Sequence, residues 1–290
     1  MNALLKRSRA ADNTRHHLQL MHDLKLRITN RHFVVLVAFF ILLSTVSTSV
    51  EAATPSDKLK SSPVLLYGDS IGVEVTPYLR RSIRRALDTD LVSRAFFGYN
   101  ACDWHDQAKI DSQQYAPKFV IIVFVGNYLT PCMTANGASP SPKKITQVTT
   151  RYIKQLIANF PKSTIILTGF GRSIDQELIR AQTHSVTFTD VLNQSLFQLA
   201  RRTDNRYVSV ARSLYNSKGK AKRFLPCSKE TDGNLCPQSR KVAVRSPDGL
   251  HLCPVAYTIN ESGVTAPCRV AIPGAARVAA DIMRTLALVR

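Results

Sequence analysis

The stretch Phe119-Val-Ile-Ile-Val-Phe-Val125 is apolar throughout, with no polar break. A strand with one wet face alternates apolar and polar residues, so an unbroken β-branched run reads as a strand buried on both faces. Such a strand needs a covering layer on each side, and a parallel sheet with helices on both faces provides them. Other segments repeat the demand. Val64–Tyr67 is a short apolar strand, Leu91–Phe97 is strand-like, Thr164–Thr168 is a second buried run ended by Gly169, and Tyr207–Ala211 is a fifth strand. Between them the apolar spacing turns helical. Val73–Leu87 has a basic face (Arg80, Arg81, Arg84, Arg85), which reads first as solvated. Ile145–Asn159 stops before Pro161, Asp175–Arg202 is interrupted near Ser185–Thr189, and Gly274–Val289 closes the chain. This alternation predicts an α/β fold, a three-layer α/β/α sandwich around a five-stranded parallel sheet. Residues 213–273 break the rhythm. They hold four of the six cysteines and few periodic apolar residues, and read as a cross-linked, loop-rich segment.

The N-terminal part is of another kind. Residues 33–46, FVVLVAFFILLSTV, carry no charge, and residues 1–32 hold seven Lys/Arg against Asp12 and Asp23. A basic flank before an apolar run is the layout of a secretory signal or signal anchor. The run turns to Ser/Thr sooner than a span of roughly 17–25 apolar residues would. Val50 and Ala52 supply small residues for a signal peptidase, so cleavage is the first reading and a membrane anchor the second. The lead-in is long for a signal peptide, and a start at Met21 would give an ordinary one. The expected organisation is a basic N-terminal segment (1–53), a polar linker (54–62) and one domain (63–290). All six cysteines follow the apolar run, which fits disulfides in an exported chain. Hydrophobic content of 44% with 20% charged residues excludes a disordered chain. The formal charge is +19, of which about +15 remains once the N-terminal segment is set aside. Export points that charge toward an anionic cell-envelope surface, and no nucleic-acid partner is expected.

Sheets of this kind bind ligands beyond the carboxyl ends of their strands. After the first strand come Gly68, Asp69 and Ser70. After the second come Gly98, Tyr99 and Asn100, and after the third Gly126 and Asn127. Far along the chain, Ser246-Pro-Asp-Gly-Leu-His251 supplies Asp248 and His251 with two residues between them. A serine hydroxyl attacks well only when a positioned base takes its proton. Candidates for that base are few, because His16, His17, His22 and His32 precede the apolar run. His184 has no adjacent acid. His105 lies in Cys102-Asp-Trp-His-Asp106 and is the rival to His251. Tyr99 and Trp104 read equally as pocket lining or as packing.

Ser70, Gly98, Asn127 and Asp248/His251, in that order, resemble the four blocks of the SGNH hydrolase superfamily, also called GDSL esterases. The resemblance covers roughly residues 63–285. It implies the flavodoxin-like strand order 2-1-3-4-5, with Ser70 as nucleophile, His251 as base and Asp248 as the group orienting it. The Ser70 and Gly98 N–H groups and the Asn127 amide would form the oxyanion hole. One departure stands: the family's third block often reads Gly-x-Asn-Asp, and here Tyr128 follows Asn127. Gly68, Ser70 and Gly72 also match the G-x-S-x-G elbow of α/β-hydrolases. That reading fails because the exported chain leaves too little sequence before Ser70 for the upstream strands and oxyanion loop.

The resemblance implies an exported serine esterase that removes short, O-acetyl-type acyl groups from an envelope carbohydrate or lipid ester. The sequence is also similar to SGNH domains fused to bacterial membrane acyltransferases. That implies an O-acyltransferase as the alternative, with a membrane acyltransferase as partner. A non-catalytic envelope-binding module with a vestigial site is the third reading. No cofactor is expected. No metal is expected either, because His251, Cys253 and Cys236 do not match zinc-ligand spacing. In the implied strand order the loops after strands 2 and 3 converge over Ser70, so the expected disulfides are Cys102–Cys132 across them, with Cys227–Cys236 and Cys253–Cys268 as local pairs.

Overall fold

The computed structural model describes residues 62–128, 130–134, 140–183, 185–256 and 267–288. The N-terminal segment (1–53), nearly all of the linker, and His184 lie outside them. Among the described residues no helix is long and apolar enough to cross a membrane.

Five strands, β1 (Val64–Gly68), β2 (Leu91–Ala95), β3 (Phe119–Val123), β4 (Thr164–Gly169) and β5 (Arg206–Ser209), form one parallel sheet in the order β2-β1-β3-β4-β5. Strand side chains alternate faces, and here both faces are dry. Val64, Leu66, Ile121, Val123 and Ile166 pack with α1 (Ser70–Leu87) and the C-terminal α6 (Pro273–Ala287). Leu65, Tyr67, Val120, Ile122 and Leu167 pack on the other face with Ala108, Ile153, Leu156, Leu192 and Leu196. These last come from α2 (His105–Tyr115), α3 (Pro142–Ala158) and α5 (Phe188–Arg202). The unbroken apolar run at 119–125 is therefore the centre of a three-layer sandwich.

Two details differ from the sequence reading, and the interruption expected near Ser185–Thr189 is present. The helix α2 has no counterpart there, because only Ala108 and Asp111 of its residues are buried and it shows no apolar stripe. Asp111 is nonetheless a fixed point: it accepts from the Tyr67 hydroxyl at 2.7 Å and pairs with Arg94 at 2.9 Å. The stretch Asp175–Arg202 is two helices, α4 (Ile174–Thr183) and α5, with Thr187 capping the second. The 213–273 segment contains a small antiparallel pair, β6 (Phe224–Pro226) with β7 (Lys241–Ala243), amid its loops. The cysteines join as Cys102–Cys132, Cys227–Cys236 and Cys253–Cys268.

Candidate active site

Ser70 is the first residue of α1, separated from the end of β1 by Asp69 alone, and is 5% exposed. Asp69 makes that turn. One of its carboxylate oxygens accepts the Ile71 N–H at 3.0 Å and caps α1, while the other accepts the Val125 N–H at 2.7 Å. The turn that carries Ser70 is thus fastened to the segment just after β3. Burial pushes the Asp69 carboxyl up to about 6 against the lowering effect of these two N–H bonds. The glycines beside Ser70 answer to packing. A Cβ at Gly72 would meet the Ala95 Cβ at 3.0 Å, and one at Gly68 would meet the Val123 carbonyl at 3.0 Å. Gly72 therefore lets α1 lie close on β2, which the sequence reading did not foresee.

Across 181 residues of chain, the His251 Nε2 lies 2.9 Å from Ser70 Oγ. Its Nδ1 lies 2.7 Å from Asp248 Oδ2, and Asp248 Oδ1 accepts the Leu250 and His251 N–H groups at 2.8 and 3.0 Å. The Asp-x-x-His spacing closes a turn in which the acid holds both the ring and its backbone. Burial disfavours the His251 cation. The Asp248 hydrogen bond and the negative charges of Glu74, Asp248 and Asp69 outweigh it and raise His251 above its ordinary value. Burial would raise Asp248, yet the His251 and backbone hydrogen bonds pull it down to about 2. The pair therefore carries an ionised acid beside a basic imidazole, as a proton acceptor requires.

The rival His105 is placed elsewhere. It opens α2 with its ring 5.9 Å from Tyr152, edge-on, and its Nδ1 is buried with no hydrogen-bond partner among the described residues.

Gly98 and Asn127 lie beside one another. Gly98 has φ +83°, which favours glycine, and a Cβ there would lie 3.8 Å from the Asn127 amide nitrogen. The Asn127 loop is held by residues of the loop after β2. Asn100 is fully buried, donates through Nδ2 to the Asn127 carbonyl and to Thr149 Oγ1, and accepts the Ala101 N–H. Asp103 accepts the Asn100 N–H at 2.7 Å and the Thr130 hydroxyl at 2.7 Å. The Cys102–Cys132 disulfide ties the same two loops covalently. Asn100 was visible in sequence only as the second residue after Gly98, and nothing local marks its role.

Aromatic rings line one side. Phe97 lies 6.5 Å from the His251 ring, Phe96 and Tyr99 stand 4.8 Å apart, and Tyr99 meets Trp104 at 5.1 Å. Trp104 also donates its indole N–H to the Gly68 carbonyl at 3.1 Å, so it is packing that supports the turn before Ser70. Phe96 and Tyr99 are 48% and 36% exposed. As for metal ligands, Cys102, Asp103 and Cys132 lie close together, but both sulfurs are in the disulfide and offer no thiolate. Cys236 and Cys253 are likewise bonded.

No protein-family model and no curated protein sequence matches the chain. Solved structures do. A GDSL-like lipase from Parabacteroides merdae aligns at TM-score 0.50 and 16% identity, over 79% of this chain and 97% of its own. A GDSL-like lipase from Bacteroides thetaiotaomicron aligns at TM-score 0.49 and 15% identity, over 79% and 89%. A lipase/acylhydrolase from Enterococcus faecalis aligns at TM-score 0.42 and 13% identity, over 65% and 86%. Likeness at such identity is likeness of fold, and the strand order found in the sheet agrees with it. The chain is built on the SGNH/GDSL hydrolase fold.

Proposed function

We propose that the protein is a serine esterase that cleaves short acyl esters through an acyl-enzyme on Ser70. The observation that carries this reading is the relay of Ser70 Oγ, His251 and Asp248, at 2.9 and 2.7 Å. In the first half-reaction Ser70 Oγ attacks the ester carbonyl carbon and its proton passes to His251 Nε2. The carbonyl oxygen takes up negative charge and is met by the Ser70 and Gly98 N–H groups and the Asn127 amide. The bond to the leaving oxygen then breaks, and that oxygen takes the proton from His251. In the second half a water gives its proton to His251 and attacks the acyl carbon, and Ser70 Oγ leaves reprotonated. Asp248 stays ionised throughout and holds the ring in the tautomer that accepts at Nε2. Nothing in this sequence of steps calls for a cofactor.

The substrate assignment rests on the sequence. The apolar run at 33–46 supports export or anchorage, and the basic charge supports an anionic envelope surface carrying an acylated carbohydrate or lipid. A second reading, transfer of the acyl group to a sugar hydroxyl, uses the same acyl-enzyme. Phe96 and Tyr99, exposed aromatic residues beside the Gly98 turn, suit contact with a sugar under either reading. The test is Ser70→Ala against p-nitrophenyl acetate, with circular dichroism to confirm the fold. Hydrolysis should disappear, and unchanged turnover would overturn the proposal. Adding candidate glycans to the wild-type assay and looking for acylated sugar by mass spectrometry separates transfer from hydrolysis.

A further inference from the structure

The chain from Arg245 to Cys253 carries both Asp248 and His251, and it is gripped from two sides. On one side stands Glu74, 3% exposed. Its carboxylate accepts the Leu252 N–H at 3.1 and 3.0 Å and the Cys253 N–H at 2.8 Å. On the other stands Arg245, fully buried, with Nη1 donating to the Leu250 carbonyl at 2.9 Å and the guanidinium over the Phe170 ring at 5.5 Å. Glu74 lies four residues after Ser70 on α1, so it shares the face of Ser70 one turn along. One rigid element therefore presents the nucleophile and, a turn later, holds the backbone that follows the base.

We propose that Glu74 is a positioning residue that, as an anion on the nucleophile's own helix, fixes the distance from His251 to Ser70 and strengthens His251 as a base. The proposal deepens the esterase reading and rests on it for the roles of Ser70 and His251. Taking a carboxylate out of water is costly unless it is well paired, and the donors that hold Glu74 here include two N–H groups of the histidine's own loop. The charged groups facing His251 are Asp248 from its loop, Glu74 from α1 and Asp69 from the cap of α1. Those facing Glu74 are His251 and Asp248, with Arg245 beyond. Burial pushes the Glu74 carboxyl up to about 7, against its backbone hydrogen bonds and the His251 charge. It is thus ionised at the alkaline end of the range in which His251 is neutral and able to accept a proton. Loss of a proton from Glu74 and from His251 both prepare the site, and each opposes the other's change of charge.

The test titrates the His251 ring by NMR in the full-length chain, the resonance being assigned by its loss in His251→Gln. Glu74→Gln keeps an oxygen for both N–H groups and removes the charge. The His251 midpoint should fall by about one pH unit, and the acid limb of kcat/KM for p-nitrophenyl acetate should move with it. Glu74→Asp keeps the charge and shortens the reach. Its His251 midpoint should stay near that of the wild type while kcat falls about 10-fold or more with KM little changed, as expected of a misplaced base. A glutamate that only fills space would move neither the midpoint nor the limb. An unchanged His251 midpoint in Glu74→Gln overturns the proposal. If that variant does not fold, wild-type kcat in Glu74→Asp overturns it instead. The ring titration needs no turnover. A wild-type chain that fails to hydrolyse the ester would therefore defeat the esterase reading while the effect of Glu74 on His251 is still measured.

Discussion

Removing the Cys102–Cys132 disulfide should damage both stability and chemistry, whereas removing Cys227–Cys236 should damage stability alone. The bonds close loops of different length, with sequence separations of 30 for Cys102–Cys132, 15 for Cys253–Cys268 and 9 for Cys227–Cys236. In the chain-entropy account, closing such loops in the unfolded state is worth about 3.6, 3.0 and 2.6 kcal/mol at 25 °C. The differences are small because closure entropy grows only with the logarithm of loop length. Stability therefore ranks the three bonds weakly, and activity should separate them sharply. Cys102 follows Gly98 and Cys132 follows Asn127, so their bond spans the two loops that carry the proposed oxyanion donors. Losing one such donor outright costs about 10²–10³ in rate. With Asn100 and Asp103 still bridging the loops, a loss of about 10-fold in kcat is the expectation for Cys102→Ala/Cys132→Ala. Urea unfolding with a constant m-value gives the stability change, and kcat for p-nitrophenyl acetate gives the other. Cys227→Ala/Cys236→Ala should unfold at lower urea and keep wild-type kcat. If the 102/132 double variant loses about 3–4 kcal/mol with kcat unchanged, the bracing of the oxyanion loops by this bond is refuted.

Two further outcomes follow from the same geometry. Gly126 has φ +88°, and a Cβ there would fall 2.3 Å from the Phe188 ring. Gly126→Ala should cost about 2–4 kcal/mol from backbone strain and overpacking together, read by urea unfolding; a loss under about 0.5 kcal/mol would contradict the packing described. Stability should also decline as pH rises from about 5 to 8. Asp69 and Glu74 have folded values raised to about 6 and about 7, and His251 is raised too. Groups raised on folding favour the folded state below their unfolded values and lose that contribution as pH climbs through the folded ones. Asp248, lowered to about 2, works the other way, but only as pH falls below about 4. The melting temperature should thus be higher at pH 5 than at pH 8, while hydrolysis, which needs neutral His251, rises over the same span. A melting temperature that climbs toward pH 8 would contradict the burial assigned to these carboxyls.

Much of this architecture is legible in the chain because burial on two faces leaves a local mark. The β3 and β4 runs announce themselves, and the residues after each strand can be read as a group once the sheet is inferred. Ser70 and His251 could be matched despite their separation because histidines outside the N-terminal segment are few. What escaped the sequence acts across the fold. Glu74 sits in a helix with ordinary spacing, and its partners Leu252 and Cys253 lie 178 and 179 residues away. Asn100 bonds to Asn127 and Thr149 on other segments. Buried polar residues that hold distant backbone groups carry no periodicity, so composition and spacing pass over them. The helix α2 escaped for the opposite reason: only Ala108 and Asp111 of it are buried, and it has no apolar stripe to betray it.

The central claim is that Ser70 is a nucleophile activated by His251, and reaction with a fluorophosphonate followed by peptide mapping tests it most directly. The account predicts one phosphonyl adduct per chain, on Ser70, abolished in Ser70→Ala and strongly slowed in His251→Ala. An unlabelled wild-type chain, or an adduct on another residue, would contradict it.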